Sequence, residues 1–397
     1  MKKTGRAIFL AVAAMLCCTF GTAFAAGAEP NSEDDFEFSV NDDFTEITIT
    51  GYTGTRTDMV IPASIQDVPV VRISGAAFCD NNKITSVVIP EGVKELSDRV
   101  WQTSTEGAFY GCDNLKSVTL PAGIYIGEAS FRCCRSLETV VLGENSTIGE
   151  EAFESCKSLK SIDIPKVCTL KSGAFKDCEN LEAIVLPEDL KIIPDECFSF
   201  CKKLAGVTFP STLKAIGSEA FYGCPIPSVD VPEGVIYMGA YAFYPEAITS
   251  LSLPKSLKWV VSKQYWDEAG HPYYYKEAFI WVGDNIRAIT IPEGLKLFVL
   301  KRNSWDSESH EYSSDAREII KGAAIDKSIK LQKQLAALET TVIDACKASG
   351  YHTYNYNNRE LSLIAFNHNK ELFDDLLKAG LSEEEAKTLF YDNNWGW

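Results

Sequence analysis

The pair Ala-Phe, or a close variant of it, recurs through the middle of this chain at almost constant spacing. The phenylalanines are Phe78, Phe109, Phe131, Phe153, Phe175, Phe198, Phe221, Phe243 and Phe279, and from Phe109 to Phe243 every step is 22 or 23 residues. Three residues after most of them sits a cysteine: Cys112, Cys134, Cys156, Cys178, Cys201 and Cys224. A leucine follows, then alternating apolar residues, then proline, as in Leu115-Lys116-Ser117-Val118-Thr119-Leu120-Pro121. The period of two predicts a strand. The proline ends it, because it brings no N–H to a ladder. One such unit cannot bury its own apolar face. Stacked units can, with Leu on Leu, Phe on Phe and Cys on Cys. Roughly nine units at about 4.8 Å each predict a parallel sheet about 40 Å long.

The full pattern, L-x-x-I-x-I-P followed by I-G-x-x-A-F-x-x-C, resembles the leucine-rich repeats of BspA-type bacterial surface proteins. The segment Ile49-Thr50-Gly51-Tyr52-Thr53-Gly54, with Val60-Ile61-Pro62 after it, is similar to the usual opening of such arrays. The resemblance covers about residues 45–300. It implies a leucine-rich-repeat solenoid of stacked 22–23-residue repeats on a parallel β-sheet. For function it implies secreted or surface-exposed interaction proteins, often linked to adhesion.

Residues 1–25 read as an export signal. Lys2, Lys3 and Arg6 precede an apolar run from Ala7 to about Phe20, and Ala23-Phe24-Ala25 offers small residues for cleavage near Ala25. Leu16 before Cys17 argues against lipidation. No second apolar run reaches the length of a membrane span, so none is expected after cleavage. The net charge is −17 over the whole chain and about −20 without the signal. A chain this acidic has no electrostatic footprint for nucleic acid.

The chain has 13 cysteines, two of them in the signal segment. A secreted chain invites disulfides, yet the six ladder cysteines hold one internal slot, as small buried hydrophobes do. Reduced packing and scattered bridges between rungs both stay open. Cys197 replaces the Ala of one Ala-Phe pair, which supports packing. Cys79, Cys133 and Cys346 lie off the ladder and are the ones to watch for reactivity. The C-x2-C pairs and His partners of a zinc site are missing, so no metal or other cofactor is expected.

His271, His310, His352 and His368 fall in no catalytic frame, and no nucleophile elbow, Walker loop or dinucleotide fingerprint is present. The chain is therefore read as a non-enzyme. A secreted hydrolase with an unrecognised site and a structural surface protein are the alternatives. The candidate contact residues fall in two groups. In the strands, the residues between the apolar ones face outward, among them Thr119, Asp163, Thr208 and Asp230, and a solenoid presents such a row as one surface. The alternative is that small and β-branched residues simply suit a crowded sheet. The second group is an insertion at 261–276, where Tyr265, Trp266, His271, Tyr273, Tyr274 and Tyr275 gather. Such aromatics anchor interfaces and stack on sugar rings, or they fold back over the solenoid flank. The expected partner is a protein of a host or bacterial surface, with a glycan second. A first insertion, at 95–106, carries Trp101.

The segments divide as 1–25 signal, 26–44 N-terminal segment, 45–300 array, 301–315 linker and 316–397 small all-α C-terminal module. In the last, helices are predicted at 316–348 and 358–379, the second stopped by Gly380. Ser382-Glu383-Glu384-Glu385 reads as a capping box that opens a third. The module is read as a cap on the open solenoid end, or as a docking module. No L-P-x-T-G motif is present near the C-terminus, so covalent wall attachment is not expected.

Overall fold

A computed structural model describes residues 29–99, 106–239, 241–243, 247–260, 262–264, 273–275, 279–282, 288–290, 298–301, 305–306, 311–312, 373–387 and 389. The chain divides into two compact units. One runs to Leu213 and takes in Ala220–Ile226; the other holds Lys214–Glu219 and the chain from Pro227 onward.

The first unit is a solenoid whose coils carry the expected short strand, three residues long in all but the last. Asp58–Val60, Ser86–Val88, Ser117–Thr119 and Thr139–Val141 pair parallel, in sequence order. Ser161–Asp163, Ala183–Val185 and Val207–Thr208 form a second parallel set. In nearly all of these strands the central residue is buried and its neighbours are not, as a period of two requires.

A second ladder runs beside the first, which the repeat pattern had not announced. Glu95–Leu96, Tyr125–Ile126, Thr147–Ile148 and Thr169–Leu170 pair parallel. In two of these coils the strand leads straight into the glycine of the I-G element, Gly127 and Gly149; Ser97 and Lys171 follow in the others. The glycine has a steric reason: a Cβ on Gly127 would lie 2.3 Å from the Leu96 carbonyl oxygen, and one on Gly149 2.4 Å from that of Ile126. Each approach is a ladder hydrogen bond, Gly127 N–H to Leu96 at 2.9 Å and Gly149 N–H to Ile126 at 2.8 Å.

The Ala-Phe turn supplies a third ladder. Residues two before and two after the phenylalanine take positive φ in most coils, for example Ala129 at 57° and Cys133 at 63°. The alternation aims every second N–H at the next coil. Phe131 N–H donates to Ala152 and Cys133 N–H to Glu154, and the same step repeats at Phe153 and Ser155 and at Phe175 and Asp177. The rings from Phe78 to Phe221 form a stack with centroids 4.6 to 5.7 Å apart and planes within 15° of parallel. This is the offset stacking that aromatic quadrupoles allow.

The N-terminal segment is part of this unit. Phe36–Val40 pairs antiparallel with Ile47–Tyr52, so the sheet begins ahead of residue 45. Tyr52 and Phe36 continue the ring column, at 6.1 Å from Phe78 and 5.3 Å from one another. Asn31 closes the other sheet: its N–H donates to Val60, and its Oδ1 accepts from the Val60 N–H, both at 2.9 Å.

In the second unit, Ala215–Ile216, Tyr237–Met238 and Trp259–Val260 pair parallel, as do Ser228–Asp230, Ser250–Ser252 and Ala288–Thr290. The insertion at 261–276 contributes a hairpin, Ser262–Gln264 against Tyr273–Tyr275. Phe279–Val282 pairs parallel with Phe298–Lys301. Within the segment read as a linker, Trp305–Asp306 pairs antiparallel with Glu311–Tyr312. Near the C-terminus lie helical residues 373–378 and the helix Glu383–Lys387. Gly380, at φ 96°, makes the expected stop: its N–H donates to Leu377 and that of Leu381 to Leu376. The capping box forms as read, with Ser382 N–H on the Glu385 carboxylate at 2.7 Å and Glu385 N–H on Ser382 Oγ at 3.1 Å. Lys258 reaches Asp375 at 3.5 Å, which ties these helices to a coil turn. The helices predicted at 316–348 and over 358–372 lie outside the described residues.

Candidate functional site

The ten described cysteines are free thiols, eight of them buried. Each ladder thiol donates to the carbonyl of the preceding coil's phenylalanine: Cys112 to Phe78 at 3.1 Å, Cys134 to Phe109 and Cys156 to Phe131 at 3.2 Å, Cys178 to Phe153 and Cys201 to Phe175 at 3.3 Å, and Cys224 to Phe198 at 3.0 Å. A leucine would fill the slot without donating. A serine would donate but pack less. Burial pushes the Cys156, Cys178 and Cys197 thiols up and away from the reactive thiolate. Burial and then the charge of Asp80 push the Cys79 thiol up to about 12, away from the reactive thiolate. Cys133 is half-buried, and Cys346 lies outside the described residues. Among the described residues no group of three or more His, Cys, Asp or Glu is placed to hold a metal ion.

The two long surfaces of the first unit differ in electrostatics. Along the Ala-Phe ridge, charges are paired from coil to coil. Arg132 bridges Glu151 at 2.7 Å and Glu154 at 3.1 Å, Arg135 bridges Asp113 at 2.9 Å, and Lys157 and Lys202 share Glu179 at 2.5 and 3.2 Å. Lys176 pairs with Glu196. Arg99, in the first insertion, meets Glu128 at 3.1 Å; Trp101 lies outside the described residues. Glu154 is the strained member of this ridge. Burial, and then the charge of Glu151, push its carboxyl up to about 7.

The strand face is unlike the ridge. Its outward positions in this unit are Asp58 and Val60, Ser86 and Val88, Ser117 and Thr119, Thr139 and Val141, Ser161 and Asp163, Ala183 and Val185, and Gly206 and Thr208. None is a cation. Thr119 is half-buried, while Asp163 and Thr208 are exposed. Asp230 is likewise exposed on a strand of the second unit. Asp163 lies between the register positions of Val141 and Val185, which are 36% and 52% exposed, and it pairs with no cation among the described residues.

Val167, in the turn after the Asp163 strand, is 63% exposed and sits at φ 59°. Neighbouring coils place Gly92, Gly123 and Asn145 at that turn position, also with positive φ. A β-branched residue there is a backbone outlier. Sequence reasoning missed Val141 and Val167 as surface features. The signal was available, because superposing the repeats puts Val167 in a column otherwise made of Gly92, Gly123, Asn145, Asp189, Thr212, Gly234 and Ser256, with no other aliphatic residue. Of the insertion candidates, Tyr273, Tyr274 and Tyr275 form one strand of the hairpin. Tyr265, Trp266 and His271 lie outside the described residues.

Three parallel ladders wound on one core make this a β-solenoid built of leucine-rich coils. The BspA-type leucine-rich repeat region matches it in six copies, over residues 56–181 and 168–265, and the chain belongs to that family. Repeats of this type are generally non-enzymatic and protein-binding. Solved structures similar to the chain include three bacterial leucine-rich repeat proteins. The T. pallidum protein is 28% identical, with 49% of this chain and 89% of that one covered and a TM-score of 0.44. One from Bacteroides ovatus is 22% identical, with 69% and 79% covered and a TM-score of 0.45. A leucine-rich cell surface protein of Faecalibacterium prausnitzii is 23% identical, with 66% and 73% covered and a TM-score of 0.40. No curated protein matches the chain. No helix among the described residues is long and apolar enough to cross a membrane.

Proposed function

We propose that this chain is a secreted or cell-surface, non-enzymatic protein that binds another macromolecule, a protein before a glycan, in an adhesive role. The observation that carries this reading is the strand face of the first unit, which has no outward cation and leaves aliphatic side chains in water. The ridge carboxylates are paired with cations; on the strand face Asp58 pairs with Arg56 at 3.4 Å, whereas Asp163 pairs with no described cation. Exposed apolar groups rimmed by polar ones mark interaction surfaces. The N-terminal export signal supports placement outside the cell. The tyrosines of the insertion are the second contact region.

The test immobilises the full chain and probes it with extracts of bacterial and host surfaces. Thr119→Arg with Thr208→Arg places two cations on the face, and Tyr273→Ala, Tyr274→Ala and Tyr275→Ala together strip the hairpin. Retention of a defined protein that falls about tenfold with either set, while circular dichroism stays unchanged, supports the reading. Retention that neither set alters overturns it. Export is checked separately, by N-terminal sequencing of the protein recovered outside the cell. A start just after Ala25 is expected, and an intracellular, uncleaved chain contradicts placement outside.

A further inference from the structure

We propose that the strand face around Asp163 docks a protein segment presenting a Lys or Arg side chain flanked by aliphatic residues. This rests on the protein-binding reading above and specifies its partner.

Three anomalies coincide at this place. The first is apolar exposure. The large hydrophobic side chains exposed among the described residues are Val40, Phe44, Val141, Val167, Val185 and Phe200. Three of the six, Val141, Val167 and Val185, fall in three consecutive coils around Asp163. The second is charge. Asp163 sits in a column flanked by two valines and ion-pairs with no described residue, whereas the carboxylates of Glu151, Glu154, Asp177, Glu179 and Glu196 on the ridge are all paired. The third is the backbone. Thr139–Val141 and Ser161–Asp163 stand side by side in successive coils but belong to different hydrogen-bonded sheets, so the parallel ladder is interrupted at this step.

A carboxylate held between exposed valines is complementary to a cation carried on an apolar stem. Lys and Arg are such groups, because their methylenes cover apolar surface while the charge reaches its partner. Excluding water around the pair strengthens it relative to an open surface pair. An acidic or all-apolar segment would leave Asp163 facing repulsion or an uncompensated loss of hydration.

The experiment pans a random dodecapeptide display library on the full chain and measures recovered peptides on purified variants. Peptides with a Lys or Arg between aliphatic residues are expected. Their affinity is expected to fall about tenfold on Asp163→Asn, and further on Asp163→Lys, and to weaken with added salt. A peptide with Glu in place of its cation should regain binding to the Asp163→Lys chain. A Thr57→Ala control, away from these coils, should leave affinity unchanged. Peptides without a cation that lose affinity on Val141→Ser with Val185→Ser overturn this proposal and leave the protein-binding reading standing. Peptides that no substitution of this face affects, or no enrichment at all, overturn both. A chain that dimerises in sedimentation, and becomes monomeric on Asp163→Lys, overturns the proposal in favour of a second copy as occupant.

Discussion

At Val167 a β-branched side chain is held in the left-handed region, in water, where the other coils with positive φ at this position place Gly92, Gly123, Asn145 and Gly234. That conformation costs an L-residue about 1–2 kcal/mol, and glycine returns about 0.5–1 kcal/mol of that through its freer unfolded chain. Val167→Gly is therefore expected to raise stability by about 0.5–1 kcal/mol in urea titration, and to weaken binding at the Asp163 face. Glu154 is the second residue whose environment works against it. Its carboxyl is raised from 4.5 to about 7 in the fold, so the native state binds the proton that the unfolded chain releases. Its stabilising contribution is complete below about pH 4.5 and is lost as pH rises through about 7. The loss is on the order of 1 kcal/mol, discounted for the group's partial exposure. Urea midpoints at pH 5 and pH 8 should differ less in Glu154→Gln than in the parent chain.

Among the elements, the strand in each coil was readable because I-x-I alternates and a proline follows. The second strand and the Ala-Phe turn were less so. A two-residue strand shows no period, and the turn's φ alternation rests on ordinary residues such as Ala129, Glu151 and Ser155 rather than on glycine. The N-terminal cap was read only as a segment before the array, because Asn31 carries no pattern. In the fold it is 3% exposed, and its side chain also donates to Tyr52 Oη at 2.9 Å. Asn31→Ala leaves the Val60 N–H and Tyr52 without these partners, at an expected cost of about 1–3 kcal/mol. Hydrogen exchange should report the loss first at the Val60 amide. The outward row of the candidate face could be read from the period, since alternation assigns sides. The exposed valines that single out its middle could not, because Val also suits a buried strand.

For the whole array, the cysteine count reports repetition and not cross-linking. Eight described thiols are buried with no disulfide. Native protein is thus expected to react slowly with an aromatic disulfide reagent at these positions, and to react fully only in denaturant. Fast reaction of all eight in native buffer would contradict the packing. Stability in such an array is a sum over coils and their interfaces, so a destabilising change in one coil should lower the protection of its neighbours' thiols before that of distant ones.

The thiol bonds all point one way along the chain, each coil reaching back to the carbonyl of the one before. A coil copied in frame brings its own donor and its own acceptor, so duplication lengthens the array without stranding a polar group. Behind the first Ala-Phe coil stands Tyr52 rather than another Ala-Phe turn, and three residues after Phe78 the chain places, instead of a cysteine, Asn81, whose side chain accepts from the Lys83 N–H at 3.1 Å. The cysteine ladder therefore starts at the second Ala-Phe coil, with Cys112. Inherited gains and losses of length should accordingly fall between Cys112 and Cys224, in steps of one coil, and spare the residues before Phe109.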